Sequence, residues 1–547
     1  MLKASGAMAA ATLVSRVLGL MREQAYMFFL GTTWVNDAFQ YAFTIPNLFR
    51  RLLGEGALTA AFIPIFKAKE KNEGEVEMWK AANAVLSGLV VASCVIVALV
   101  LAGVSLGLLY GMPASGVATV VDQRGDMHLW HYWHPGSFPP RIILMLELLR
   151  VMFPYMILVC LTAVMMGMLN ARGHFFIPAM GAAMLNVVMI VSVYWAAPKL
   201  GVNLPRGERL PVQVFALAYG VLVAGVAQAA FQVPTLWRDG FRYRWVSPWR
   251  NETVRRVVVQ MIPGTIGVAA FQINVAMVQS VALFVGDGIV SSFNGAVRLM
   301  ELPQGMFGVS LATYLLPTLS GLAAEKKYPE FRSTLRDGLG SLMFVNLLAS
   351  VLLLVLSEPI VRLLFEHGTK FDAVSTHRVS MALKCLAPGL VAFSTVNILA
   401  RAFYALGDIK TPMKISLVCL AINFLAACLL LMPMGECGPG IANTCTSAIN
   451  VSLLLFALRK KLAKLDMGPL RQTVGTLLPA TVAAGLIAYA GWRGWESQVG
   501  HANIPRQIGA VFVPAGIAAG FYWGVAMWRG VPAAREITAF TLAKFKR

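Results

Sequence analysis

Charge is what this sequence has least of. Only 13% of its 547 residues are Asp, Glu, Lys or Arg, while 58% are hydrophobic, and the mean hydropathy is +0.68. A water-soluble domain is about a quarter charged, so this scarcity excludes a chain whose surface faces water throughout. Interruptions of the apolar runs are few as well: Ala81–Gly111 contains no charged residue. Such a run exceeds the ~20 residues that carry a helix across ~30 Å of hydrocarbon, and it is too long for a β-barrel strand. A clean secretory signal core is missing, because the first apolar segment holds Arg16 and Arg22. That segment is expected to insert as its own signal. Cysteines number seven, an odd count with no metal-ligand spacing. Cys94, Cys160, Cys385, Cys419, Cys428 and Cys445 lie in apolar segments and Cys437 in a short loop. They read as small buried hydrophobes, not as a disulfide framework. No nucleotide-binding glycine loop and no plausible catalytic triad is present, so no covalent chemistry is implied.

What remains is an all-α polytopic membrane protein of about fourteen spans. Their limits are Gly6–Leu30, Trp34–Phe66, Ala81–Gly111, Met145–Asn170, Phe175–Pro198, Val212–Thr235, Val254–Val285, Ile289–Ser320, Leu335–Leu356, Ser380–Leu406, Thr411–Pro433, Gly440–Leu458, Thr473–Trp492 and Gln507–Trp528. The chain is also basic, with a net charge of +20. In a soluble protein that excess would suggest nucleic acid; here it sits largely in alternate loops, Lys67–Lys80, Arg238–Arg256, Glu325–Arg336 and Arg459–Arg471, and in the tail. The intervening loops GTTW, GDG and MGECGPG carry no base. The basic set marks the cytoplasmic side, which puts both termini there. Lys199, Arg206, Arg209 and the mixed loop Ser357–Arg378 are the exceptions.

The chain repeats itself. LTAAFIP at Leu58–Pro64 resembles LATYLLP at Leu311–Pro317, and ARGHFFIPAM at Ala171–Met180 resembles ALGDIKTPMK at Ala405–Lys414. The second span thus matches the eighth, and the fourth and fifth match the tenth and eleventh. Two six-helix lobes, residues 1–237 and 238–464, are the expected build of a repeat transporter. Residues 465–547, with the last two spans and the tail, have no counterpart.

Charges inside the spans suggest function. Arg16 and Arg22 fall ~12 and ~21 Å into the first span, about 120° apart around an ideal helix, so both face one cavity only if it is wide or the helix bends at Gly19. Arg50 and Arg51 follow Pro46 and precede Gly54, Glu55 and Gly56; Arg298 and Glu301 precede Pro303, Gly305 and Gly308. Each repeat is therefore expected to carry a proline-broken helix with arginine beside the break. Each mid-membrane arginine costs roughly 2.5–3.5 kcal/mol on insertion scales. Asp37, Glu23, Glu55 and Glu301 are candidate partners, and Arg51 is expected to pair or to snorkel. Arginines outnumber these acids, so a positive cavity suited to phosphate oxygens is expected from Arg16, Arg22, Arg50 and Arg298.

The segments SRVLGLMREQ, DAFQYAFTIPNLFRRLLGEGALTAAFIPIF, FPYMILVCLTAVMMGMLNARGHFFIPA, RLMELPQGMFGVSLATYLLPTLS and ARAFYALGDIKTPMKI together closely resemble the MurJ (MviN) family. These are bacterial lipid II flippases of the multidrug/oligosaccharidyl-lipid/polysaccharide superfamily. The resemblance implies an inner-membrane protein with fourteen helices and two lobes around a cationic cavity. It also implies a hydrophobic groove from the last two helices for the polyprenyl tail. Substrate-binding arginines of the family match Arg16, Arg22, Arg50 and Arg298, and its second-helix aspartate matches Asp37. The implied partners are lipid II and membrane lipids, with other cell-wall synthesis proteins as further candidates; no nucleic acid and no cofactor is implied. Val297 stands where many relatives have an acid, leaving Arg298 less neutralised, and the external loop Met112–Arg141 is long. Some relatives bind sodium, but no residues here can be assigned to such a site.

Two histidine features have bland readings. His128, His131 and His134, in HLWHYWH, could share one helix side as metal ligands, with Asp122 or Asp126 the only nearby acids. An interfacial aromatic patch accounts for them better. His174 reads as a polar turn residue, not a proton relay. Three rival functions make different demands on the residues. A cation antiporter would need carboxylates where arginines dominate. A flippase for another polyprenyl-pyrophosphate glycan is not rejected by charge. A membrane enzyme would need outward-facing carboxylates or a metal, for which only the His128 loop offers ligands.

Overall fold

The computed structural model describes residues 2–54, 57–111, 138–174, 176–249, 251–368, 370–462, 468–535 and 538. Helix is the only regular secondary structure among them. The physical reason is the solvent: in hydrocarbon every backbone N–H and C=O must be satisfied within its own segment. Even Val-rich runs such as Ala81–Gly111 therefore coil rather than extend. Large apolar side chains such as Leu99, Leu429, Phe456 and Phe512 stay exposed, as a lipid-facing surface requires.

The chain forms two compact units, Met1–Leu283 and Phe284–Arg547. The first contains α1 (Leu2–Leu30), α2 (Trp34–Phe49), α3 (Ala57–Gly111), α4 (Pro140–Met152), α5 (Tyr155–Ala171), α6 (Phe176–Val191), α7 (Arg206–Arg238) and nearly all of α8 (Glu252–Val285). The second contains α9 (Ile289–Pro303), α10 (Ser310–Ala324), α11 (Tyr328–Val355), α12 (Ser357–Phe365), α13 (Ala373–Leu386), α14 (Gly389–Ala405), α15 (Lys410–Met434), α16 (Cys437–Lys461), α17 (Gly468–Gln498) and α18 (Ile504–Trp528).

Over its described residues each of the fourteen apolar segments is helical apart from short turns such as Phe153–Pro154 and Ala387–Pro388. Among the described residues nine helices are long and apolar enough to cross a membrane, and eleven if α4–α5 and α13–α14, bent by 46° and 47°, each count as one span. The first, second and seventh segments make up the difference. The first two carry Arg16, Arg22, Glu23, Asp37, Arg50 and Arg51 between them. One element has no counterpart in the sequence reading: α12 is a short amphipathic helix that buries Pro359, Val361 and Phe365.

The seventh segment, α8, groups with the first unit although it lies beyond residue 237. Two local attachments explain this. The connector after α7 runs extended along α3: Asn83 donates to the Arg242 carbonyl at 3.1 Å and accepts from the Arg244 N–H at 3.2 Å. Farther along the same face of α3, Ser87 accepts from the Val246 N–H at 3.3 Å. Further on, Gln272 and Ser280 of α8 meet Arg51 and Tyr41.

The repeated turns fold alike. α5 and α14 both end on a left-handed glycine, Gly173 (φ 88°) and Gly407 (φ 73°), a conformation glycine adopts without a Cβ clash. The next N–H reaches back to close each helix: His174 to the Leu169 carbonyl at 2.9 Å, and Asp408 to the Phe403 carbonyl at 3.0 Å. The residue after each glycine then pairs with the end of its unit's sixth repeat helix, but with the roles exchanged. His174 Nε2 lies 3.1 Å from Asp239 Oδ2, just past α7. Asp408 Oδ2 lies 2.7 Å from Lys461 Nζ, the last residue of α16. Lys461 and hydrogen bonds from Thr411 hold the Asp408 carboxyl down to about 2. His174 is thus a polar turn residue with a partner.

Only two of the seven cysteines, Cys160 and Cys419, are buried; Cys94 and Cys445 are exposed and the remaining three are half-buried. The expectation of buried packing therefore fails for most of them. In lipid a thiol on the outer face of a helix is as well solvated as one inside, so nothing drives it inward.

Candidate functional site

α1 is one unbroken helix through Gly19, so Arg16 and Arg22 point in different directions. Arg16 is exposed. Arg22 is 7% exposed, and its guanidinium lies 5.4 Å over the Tyr26 ring. Arg22 Nη2 is 3.9 Å from Glu23 Oε2, while its Nε is buried without a hydrogen-bond partner. Glu23 continues a polar chain into α2. Gln40 Nε2 donates to Glu23 Oε1 at 3.4 Å and to Asn36 Oδ1 at 3.1 Å. Asn36 in turn donates to the Gly31 carbonyl at 2.6 Å. Asn36 and Gln40 are i, i+4 neighbours on one helix face, which is why the chain can bridge from α1 to the turn.

Asp37 sits next to Asn36 and is fully buried. Thr33 caps α2 by accepting from the Asn36 N–H at 3.4 Å, and Asp37 lies in the first turn, where the helix dipole favours an anion. The structure thus brings Arg22, Glu23 and the Asn36–Asp37 turn together. Arg16 does not belong to this cluster.

Arg50 and Arg51 lie at the other end of α2. Pro46 does not break the helix, contrary to the sequence reading: α2 runs through it to Phe49 and then widens into a π-helical turn, Arg50–Gly54. The proline removes one N–H, and the i→i+5 turn that follows takes up the mismatch without ending the helix. Arg50 Nε donates to Asn47 Oδ1 at 2.6 Å. Arg51 Nη1 donates to Gln272 Oε1 of α8 at 3.3 Å, a partner 221 residues away that no local rule would find. Glu55 and Gly56 lie outside the described residues, as do His128, His131 and His134.

The second unit repeats the device. α9 runs to Pro303 and passes into a π-helical turn, Gln304–Val309, before α10. Again the proline widens the span and does not break it. Gly305 lies in the turn, and its carbonyl accepts from Ser310 Oγ at 3.2 Å. Arg298 Nη1 bonds Glu301 Oε2 at 2.8 Å, with both side chains nearly half exposed. Glu301 therefore offsets the charge that Val297 leaves unanswered, so Arg298 is more neutralised than expected. Val297 itself packs beside Met300 and Leu390.

Among the described residues no group of three His, Cys, Asp or Glu is placed to hold a metal ion. The site chemistry is electrostatic. From Val14 to Gly54 four arginines meet two acids, a net positive charge set in apolar helices. One arginine is buried with a spare donor, and another is open.

A many-spanning helical chain with repeated, proline-widened, arginine-bearing spans belongs to the class of membrane transporters. The sequence profile described as Lipid II flippase MurJ matches residues 26–494. The chain is 33% identical over 496 residues to the lipid II flippase MurJ of Burkholderia cenocepacia, covering 89% of this chain and 90% of that one. It is 32% identical over 536 residues to a probable lipid II flippase MurJ of Bdellovibrio bacteriovorus, covering 96% and 94%. Among solved structures, a lipid II flippase MurJ in an inward closed conformation matches with TM-score 0.69 at 22% identity, over 95% of this chain and 99% of that one. An inward-facing multidrug resistance MATE transporter matches with TM-score 0.62 at 14% identity, over 84% and 99%. These two share the fold. The chain belongs to the MurJ lipid II flippase family, and it is a multi-pass bacterial inner-membrane protein.

The sequence supplies the arginines and two acid partners, Glu23 for Arg22 and Glu301 for Arg298, but not the amides. Gln40, Asn36 and Gln272 complete the site without being singled out by charge. The usable signal was there for two of them: paired amides at i, i+4 inside an apolar span are rare enough to mark.

Proposed function

We propose that this protein moves lipid II, a polyprenyl-pyrophosphate-linked peptidoglycan precursor, from the cytoplasmic to the outer leaflet by alternating access, without covalent chemistry and without a cofactor. The observation that carries this reading is the family match over residues 26–494, joined to arginines placed where hydrocarbon would otherwise exclude them. The lipid tail can stay in the bilayer while the pyrophosphate head crosses. Arg16, Arg22, Arg50 and Arg298 supply the positive charge that the head requires, with Arg16 and Arg298 the accessible members in this conformation. Asp37, buried beside the Arg22–Glu23 chain, tunes the charge instead of touching the substrate first. The π turns after Pro46 and Pro303, which hold Gly54 and Gly305, are where each repeat bends. The basic loops and both termini lie in the cytoplasm. Residues 465–547 carry the groove for the tail.

The test is complementation in a bacterium whose own lipid II flippase can be switched off, with membrane levels measured. Wild type is expected to rescue, and Arg→Ala changes at residues 16, 22, 50 and 298 to fail. Rescue by all four variants would sink the assignment of the site. No rescue by well-expressed wild type would shift the substrate to another polyprenyl-linked glycan.

A further inference from the structure

Cys385 and Cys437 are 52 residues apart in sequence but meet in the second unit. Cys385 is in the last turn of α13, and Cys437 opens α16. Their side chains are close enough to interact electrostatically. The approach is built by a whole face of α16, because Cys437, Gly440 and Thr444 follow one another at helical spacing. A Cβ on Gly440 would lie 3.0 Å from the Cys385 Cβ, and Thr444 Oγ1 donates to the Cys385 carbonyl at 2.9 Å. Glycine at 440 thus allows α13 to approach this face of α16 closely, with Cys385 one helical turn from Cys437. Both cysteines are half-buried, packed but reachable.

Their depth fixes the compartment. α16 ends on Arg459, Lys460 and Lys461, the cytoplasmic mark, so Cys437 is at its outer end; this step rests on the orientation proposed above. From Ala405 back to Cys385, α14 with the end of α13 covers about 30 Å, the thickness of the hydrocarbon. The pair therefore lies at the outer boundary, where thiols are open to oxidation.

We infer that Cys385 and Cys437 form a disulfide that clamps the outer end of α16 to α13, two residues before the bend of the tenth span. The oxidant is a disulfide-bearing thiol oxidant of the outer compartment. One cysteine thiolate attacks that disulfide and expels one carrier sulfur; the second cysteine sulfur then displaces the other. Two protein S–H bonds and one carrier S–S bond become one protein S–S bond and two carrier S–H bonds, with two electrons passing to the carrier.

The experiment traps thiols in whole cells with N-ethylmaleimide, purifies the full chain and maps its peptides by mass spectrometry with and without reduction. The expected result is a linked Cys385–Cys437 peptide that vanishes on reduction and in Cys437→Ser. A second readout is melting in detergent: reduction is expected to lower Tm by about 5 °C in wild type and to leave Cys437→Ser unchanged. The purified protein is also treated with oxidised glutathione. No linked peptide from cells or from glutathione-treated protein would overturn the geometry. A link formed only in the tube would overturn the modification in cells and the outward placement of this end of α16. Neither result would touch the lipid II assignment, which complementation tests separately.

Discussion

At the residue scale the arginines divide by burial, and the division predicts different failures. Arg22 and its neighbour Glu23 are both buried. Removing Arg22 leaves a carboxylate in a low-dielectric site, and breaking a buried pair costs on the order of 3 kcal/mol. Arg298 and Glu301 are nearly half exposed, where a pair contributes roughly 0–1 kcal/mol. Arg22→Ala is therefore expected to lower both the melting temperature and the amount of protein in the membrane. Arg298→Ala should leave both close to wild type and still abolish rescue. Thermal unfolding in detergent beside complementation separates the two. An unstable Arg298→Ala or a fully stable Arg22→Ala would contradict the burial argument. The four arginines were legible because mid-span charge is costly and therefore rare. The bonds of Arg51 to Gln272 and of Gln40 to Glu23 were not, because which amide meets which charged group depends on how α1, α2 and α8 pack.

At the scale of elements, the proline-then-π turn occurs once in each unit among the described residues, after Pro46 and after Pro303. Proline sets it by withholding an N–H from the α pattern. Pro46→Ala and Pro303→Ala restore that donor and let the spans close into uniform α-helix. Both variants should reach the membrane normally but rescue poorly, with slower amide exchange at residues 50–54 and 304–309. Unchanged exchange there would mean that packing, not proline, imposes the turn. The two repeat turns yield a second prediction. Asp408 is held down to about 2 by Lys461 and Thr411, below the ordinary carboxylate value. A depressed folded value means the pairing stabilises fully above the unfolded value near 4 and is lost only as pH falls towards 2. Asp408→Asn should therefore lower Tm by the same amount at every pH from 5 to 8. A difference that grows or shrinks across that range would show that another group titrates with it.

At the scale of the whole molecule the driving force is the issue. A pyrophosphate head moves negative charge towards the positive outer side. Two uncompensated charges gain up to about 4–5 kcal/mol per 100 mV. If the arginines neutralise the head in transit, the same energy returns the empty positive site inward. Both routes predict slower flipping when the potential is collapsed. The check is transport of labelled lipid II in vesicles with a potassium gradient, with and without valinomycin. Equal rates would remove the potential from the mechanism.

The sequence alone determined the membrane, the helices and the repeat, because those depend on local facts: run length, hydropathy, proline and glycine spacing. The same local facts placed helix in each apolar segment and arginine beside the proline of both repeats. Tertiary structure alone decided the rest. It showed that Pro46 and Pro303 widen their helices without ending them, since whether a helix continues past proline depends on what surrounds the freed backbone. It buried Arg22 and Asp37 while leaving Arg16 open, since the facing of α1 is set by the helices beside it. It brought Cys385 to Cys437 through the close approach at Gly440, a contact between helices far apart in sequence that no spacing rule encodes.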